Sequence, residues 1–145
     1  MRALIQRVKS AEVSVAGEKI SSIKSGLLIF LGIKTDDSEK DIDYLVKKIV
    51  NCRIFDDSNG VMNESLIDQE KELLVVSQFT LYAETKKGNR PSYQLAAKGD
   101  VAEPLYQKFI TKVKEMNIPV QTGEFGADMA VSLINDGPVT ILMES

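Results

Sequence analysis

Apolar positions along this chain fall into stretches of distinct period, separated by turn-forming residues. Residues 2–34 read as β structure: Leu4, Val8, Val13 and Val15 in β-rich surroundings, a turn at Ala16-Gly17-Glu18, and a short strand around Ile20. Leu27 to Ile33 is apolar on both faces, which predicts a central strand covered on each side. Ser38 then opens a helix with Asp41 in the capping-box position, and Ile42, Leu45, Val46, Ile49 and Val50 recur at helical spacing. One face of that helix must lie on a sheet.

After the helix, Cys52 to Phe55 reads as a short strand ending in the turn Asp56-Asp57-Ser58-Asn59-Gly60. A second helix is predicted from a cap at Asp100, with Glu103 three residues on and Pro104 in its first turn. Its expected buried stripe is Val101, Leu105, Phe109, Val113 and Met116. Asn117-Ile118-Pro119 stops it. The chain then returns to β structure over 120–122, 127–135 and 139–144, with a hairpin turn expected at Asn135-Asp136-Gly137-Pro138.

One strand pattern departs from the rest. Glu72 to Ala83 runs apolar and then places Ser77, Gln78 and Thr80 where a buried strand would carry Val, Ile or Leu. An unpartnered buried hydroxyl or amide costs about 1–3 kcal/mol. The polar groups therefore either bond neighbouring backbone or form the floor of a pocket for a polar ligand. Strict alternation would point Ser77 and Phe79 one way and Gln78 and Thr80 the other, unless the strand bends at Phe79. The loop that follows, Glu84 to Tyr93, is punctuated by Gly88 and Pro91 and carries Lys86, Lys87 and Arg90. It reads as a solvated loop or as a resting place for phosphates.

Composition narrows the chemistry. At 145 residues, 43% hydrophobic and 27% charged, the chain is expected to form one globular domain in the cytoplasm, with no membrane-spanning run. Cys52 is the only cysteine and reads as a small buried hydrophobe. There is no histidine, which removes a Ser-His-Asp triad, a histidine base and histidine-containing metal sites. Asp56, Asp57 and Glu64 read as a solvated turn rather than a hard-metal site, so neither metal nor cofactor is expected. A net charge of −3 argues against broad nonspecific nucleic-acid binding, while leaving room for a local basic patch.

Five segments in order carry a resemblance: Met1 to Val8, Ser77 to Ala83, Lys87 to Ser92, Thr122 to Met129, and Asn135 to Thr140. Together they make the chain similar, over essentially its whole length, to the D-aminoacyl-tRNA deacylase family, also known for D-tyrosyl-tRNA. The resemblance implies a cytoplasmic homodimer that hydrolyses the ester between a D-amino acid and the 3′-terminal adenosine of tRNA. It casts Ser77, Gln78, Phe79 and Thr80 as the catalytic segment. It casts Gly137 and Pro138, flanked by Asn135 and Thr140, as a cis Gly-Pro screen that enters the partner's pocket and rejects L side chains. Glycyl esters, including glycine mischarged on alanine tRNA, would pass such a screen.

A mechanism without histidine agrees with this resemblance. An aminoacyl ester is already activated, so its hydrolysis needs mainly an oriented water and fixed dipoles for the oxyanion. The vicinal 2′-hydroxyl of the terminal ribose can help place that water. Thr80 is then a positioning hydroxyl, with a nucleophilic Thr80 as the competing role. Lys86, Lys87 and Arg90 are the candidates for phosphate contacts. Asn89 and Glu124 stand where the family often has basic residues.

The expected fold is α/β (α+β), with two antiparallel or mixed sheets and helices on one outer face in β/β/α layers. Two other readings compete: an editing deacylase for an L-aminoacyl-tRNA, and a noncatalytic nucleic-acid-binding protein.

Overall fold

The computed structural model describes residues Met1–Ser145. Its centre is β1 (Arg2–Val15), a 14-residue strand long enough to serve several partners. Along one edge it pairs antiparallel with β2 (Glu18–Ile23) through Ala11–Val15, and with β3 (Gly26–Gly32) through Arg2–Val8. Ala16 at φ 51° and Gly17 at φ 84° make the tight β1–β2 turn. Along its other edge β1 pairs with the 16-residue β8 (Met129–Glu144).

The sheet continues from β3 by parallel pairing to β6 (Glu72–Ser77) and then β7 (Val120–Thr122). Parallel neighbours need long crossovers. The first contains α1 (Glu39–Val50) and a small separate sheet of β4 (Phe55–Asp56) and β5 (Met62–Glu64). The second contains a 3-10 turn (Phe79–Tyr82) and α2 (Gly99–Glu115). The result is the expected mixed α/β arrangement, with a sheet rolled towards a barrel and two helices outside it.

Two apolar layers explain why the β3 run is apolar on both faces. Leu27, Ile29 and Leu31 face the helices together with Ala3, Ile5, Leu73 and Val75. Leu28 faces the other way and packs with Val8, Ala11, Val13, Ile23, Leu74 and Val76, where the sheet folds over itself. The helices lie side by side, joined by the surface pairs Lys108–Glu39 and Lys112–Asp43, the latter at 2.8 Å.

For α1 the expected cap and stripe are both present. The Ser38 N–H donates to the Asp41 carboxylate at 2.8 Å, and Ile42, Leu45, Val46, Ile49 and Val50 are buried. For α2 the expectation needs correcting. Its cap is Lys98 rather than Asp100, and its buried residues are Ala102, Tyr106, Phe109, Ile110 and Val113. Val101 and Met116 are exposed and Leu105 is only half-buried. The stripe is rotated because Tyr106 can go inside: its hydroxyl donates to the Val75 carbonyl at 2.8 Å, satisfying the polar tip of a large apolar ring. Pro104 lies beyond the first turn, six residues into the helix.

Three further expectations change. The strand after α1 is only Phe55–Asp56. Cys52 is half-buried beyond the end of α1, and partial burial still pushes its thiol pKa up. There is also no hairpin at Asn135–Pro138, because 129–144 is one strand that pairs with β1 on both sides of that segment. The ladder passes from Gln6↔Thr140 to Val8↔Asn135, so residues 136–139 bulge opposite Arg7 alone. The Asp-Gly signal marks that bulge, and the strand resumes its direction after it.

Candidate functional site

Strand β6 stops at Ser77, where the polar residues begin. The Gln78 N–H makes a last ladder bond to the Leu31 carbonyl at 2.8 Å, and the chain then coils into the Phe79–Tyr82 turn. Strict alternation therefore ends before Gln78. The Gln78 Nε2 donates to the Thr80 Oγ1 at 2.5 Å, bringing together two polar side chains that a straight strand would also place on one face, but at greater separation. Gly32 on β3 makes room beneath: a Cβ there would stand 3.1 Å from both the Gln78 carbonyl oxygen and the Leu81 Cβ.

The turn is braced from β1. Arg2 Nη1 donates to the Leu81 carbonyl at 2.8 Å, its guanidinium lies 4.6 Å from the Tyr82 ring centre, and its Nε pairs with Glu144. A 3-10 turn leaves its first N–H groups without acceptors of its own. Here those groups belong to Phe79 and Thr80.

Above the turn opens a cavity of about 420 Å³, within the range of small-molecule sites. Val76, Ser77, Gln78 and Phe79 form one wall, Phe125 to Met129 another, and Gly99 and Ala102 at the start of α2 close the end. The second wall is tied down by the Gly123 N–H, which donates to the Val75 carbonyl at 3.0 Å. Thr80 is not in the lining; it stands behind Gln78.

Asp128 is the only ionisable side chain of that lining. The Tyr106 phenol is spent on Val75, and burial pushes its pKa well above the ordinary tyrosine range. No three carboxylate or cysteine side chains come together as a metal would require. The lining thus sets Ser77, Gln78 and Asp128 in a mostly apolar cleft.

Of the segment singled out in the sequence, Ser77, Gln78 and Phe79 line the cavity and Thr80 does not, while Gly99, Ala102 and Phe125–Met129 line it without having been singled out as site residues. The Thr122–Met129 motif was the available signal, and its cavity position depends on the β6–β7 pairing. Lys86, Lys87 and Arg90 lie on an exposed loop outside the lining. Its neck is closed by Glu84 and Ser92, whose backbones exchange bonds of 2.8 and 3.0 Å. None of the three cations forms an ion pair.

The other predicted residues lie on β8, also outside the lining. Thr140 Oγ1 accepts from Gln6 Nε2 at 3.3 Å, and Asn135 pairs with Val8. Gly137 and Pro138 are exposed and joined by a cis peptide. Gly137 has φ 119°, and a Cβ there would meet Val139 at 3.0 Å and the Arg7 Nη2 at 3.2 Å, so glycine is required. The cavity of one chain is consequently lined by Ser77, Gln78 and Phe79 without the Gly-Pro pair.

A family model described as D-Tyr-tRNA(Tyr) deacylase matches residues 4–144. The chain belongs to this family. D-aminoacyl-tRNA deacylases from Thermosipho africanus and Finegoldia magna are 57% and 54% identical to it over all of this chain and 97% and 98% of theirs. Among solved structures, one described as c-Myc DNA unwinding element binding protein superposes with a TM-score of 0.95 at 42% identity, covering 100% of this chain and 99% of that one. A probable eukaryotic D-amino acid tRNA deacylase superposes with a TM-score of 0.85, covering 99% and 98% of the two chains; at 18% identity it supports the fold. The deacylase family to which this chain belongs is a family of hydrolases.

Proposed function

We propose that two copies of this chain hydrolyse the ester between a D-amino acid and the terminal adenosine of tRNA in the cytoplasm. Water attacks the ester carbonyl, the N–H groups of Phe79 and Thr80 hold the oxyanion, and the bond to the ribose 3′ oxygen breaks. The neighbouring 2′-hydroxyl orients the water, replacing a protein base in a chain that has no histidine. Lys86, Lys87 and Arg90 meet phosphates of the tRNA end.

The observation that carries this reading is the cavity walled by Ser77, Gln78 and Phe79, with mostly apolar lining elsewhere. Chiral selection comes from the Gly137-Pro138 pair of a second copy, whose backbone leaves no room for an L side chain. Glycine has no side chain to reject, so glycyl esters are also substrates.

Support for the dimer comes from the sheet. Leu142, Leu4, Phe30 and Val76 are register neighbours on one face across four strands, and Leu142 is 53% exposed. Val76 also lines the cavity. A two-fold contact over this face brings the β8 bulge of one copy towards the cavity of the other.

The deciding experiment follows three esters: D-tyrosyl-tRNA, L-tyrosyl-tRNA and glycine mischarged on alanine tRNA. Loss of the first and third with survival of the second is expected. Equal survival of the D and L tyrosyl esters sinks the proposal, and selective loss of the L ester supports an L-specific editing enzyme instead. The 42% identical structure described as a DNA-element binding protein gives weight to a second reading, nucleic-acid binding without ester turnover. Its signature is tight binding of deacylated tRNA with all three esters intact.

A further inference from the structure

We infer that Phe79 and Tyr93 form a stacking platform for the nucleobase preceding the terminal adenosine in the single-stranded 3′ end of tRNA; this rests on the deacylase reading and extends its binding site. Phe79 lines the cavity yet remains 55% exposed, and Tyr93 is 38% exposed. Their ring centres are 5.0 Å apart with planes at 70°, an edge-to-face pair. Such a pair engages one ring's edge and leaves aromatic face available to a third ring.

The platform is fixed in place. The Tyr93 carbonyl accepts from the Ala96 N–H at 3.0 Å, and the Ala97 N–H donates to the Ile33 carbonyl at 2.9 Å, which docks this segment on the end of β3. Tyr93 also directly follows the Glu84–Ser92 neck of the loop bearing Lys86, Lys87 and Arg90. Aromatic faces beside unpaired cations match single-stranded nucleic acid, whose bases stack and whose phosphates need neutralising. A cavity of about 420 Å³ admits the terminal nucleoside with its aminoacyl group. The rest of the strand then leaves past Phe79, where the rings lie.

The test compares D-tyrosyl esters of adenosine and of the dinucleotide CpA. In the unaltered protein, adding the cytidine nucleotide should lower KM about tenfold, the scale of one base–aromatic stack. Tyr93→Ala should abolish most of that gain, and Tyr93→Phe should retain it. A variant that keeps the full gain, or an unaltered protein that shows none, overturns the platform. Sedimentation addresses a second copy as the rival occupant: loss of the dimer in Tyr93→Ala assigns the rings to a subunit contact and likewise overturns the inference. If neither ester is turned over, the deacylase reading fails separately. Binding of the unacylated trinucleotide CCA then reads the platform alone, with about tenfold weaker binding by Tyr93→Ala supporting it and equal binding overturning it.

Discussion

Arg7 donates from Nε to the carbonyl oxygen of Asp136 at 3.1 Å, across the one place where residues 136–139 leave the β1–β8 ladder. Its Nη1 also donates to the Ile54 carbonyl at 2.5 Å, and the side chain is only 7% exposed. A single buried guanidinium thus fills the space behind the bulge and ties it to the segment after α1. The Asp136 and Asp56 carboxylates, each 3.4 Å from it, balance the charge.

Arg7→Met keeps much of the volume and removes every donor. The Ile54 and Asp136 carbonyls lose their partner, at about 1–3 kcal/mol for each buried group left unsatisfied. Urea unfolding should show a loss of about 2–4 kcal/mol, and discrimination between D- and L-tyrosyl-tRNA should weaken as the bulge loosens. Unchanged stability and selectivity would separate Arg7 from the placement of Gly137-Pro138.

Thr80→Ala tests the two roles open to that hydroxyl. Thr80 stands behind Gln78 and accepts its amide N–H, so its loss frees one donor without removing the backbone dipoles. A fall in kcat of less than about tenfold, equivalent to about 1.4 kcal/mol, is expected. Abolished turnover by a folded, substrate-binding variant would assign Thr80 the nucleophile's part. Single-turnover kinetics and circular dichroism together supply the answer.

Leu142→Glu places a charge at the exposed end of the row formed with half-buried Leu4 and Phe30. On the proposed two-fold contact the charge meets its own copy across an apolar surface, a costly burial. Sedimentation should report a monomer, and discrimination between D- and L-tyrosyl-tRNA should be lost with the second copy's Gly137-Pro138. A monomer that still spares the L ester while hydrolysing the D ester would contradict selection in trans.

Acid should destabilise the 51–71 region. The N–H groups of Val61 and Asn59 hold the Asp57 pKa below its ordinary value, and the Ser65 hydroxyl and N–H do the same for Asp68. A carboxyl with a lower pKa in the folded state binds fewer protons there than when unfolded. Its contribution is present above the ordinary carboxylate pKa and is lost as pH falls through the depressed folded value. Urea midpoints should therefore decline below about pH 4, and Asp57→Asn with Asp68→Asn should flatten that decline. An unchanged pH profile in the double variant would show that other carboxylates govern it.

Local signals were legible where the local reason was sufficient. Ser38 and Asp41 marked the start of α1 because a capping box needs only four residues. The two-faced apolar run of β3 announced a covered strand. The stripe on α2 was misjudged because Tyr106 becomes a core residue only when the Val75 carbonyl is there to receive its hydroxyl. Likewise, Asn135-Asp136-Gly137-Pro138 has turn chemistry, but β1 holds the strand's course on both sides of it.

The sequence alone determined the kind of chemistry available: no histidine, a polar Ser77–Thr80 segment set in an apolar run, and five motifs that mark the family. Those properties reside in residue identity and order. Only the tertiary structure decided that β6 ends at Ser77, that Phe125–Met129 forms the facing wall, and that Gly137-Pro138 lies away from the cavity of its own chain. These depend on which strands pair and where Arg7 interrupts a ladder, contacts between residues as much as 142 positions apart.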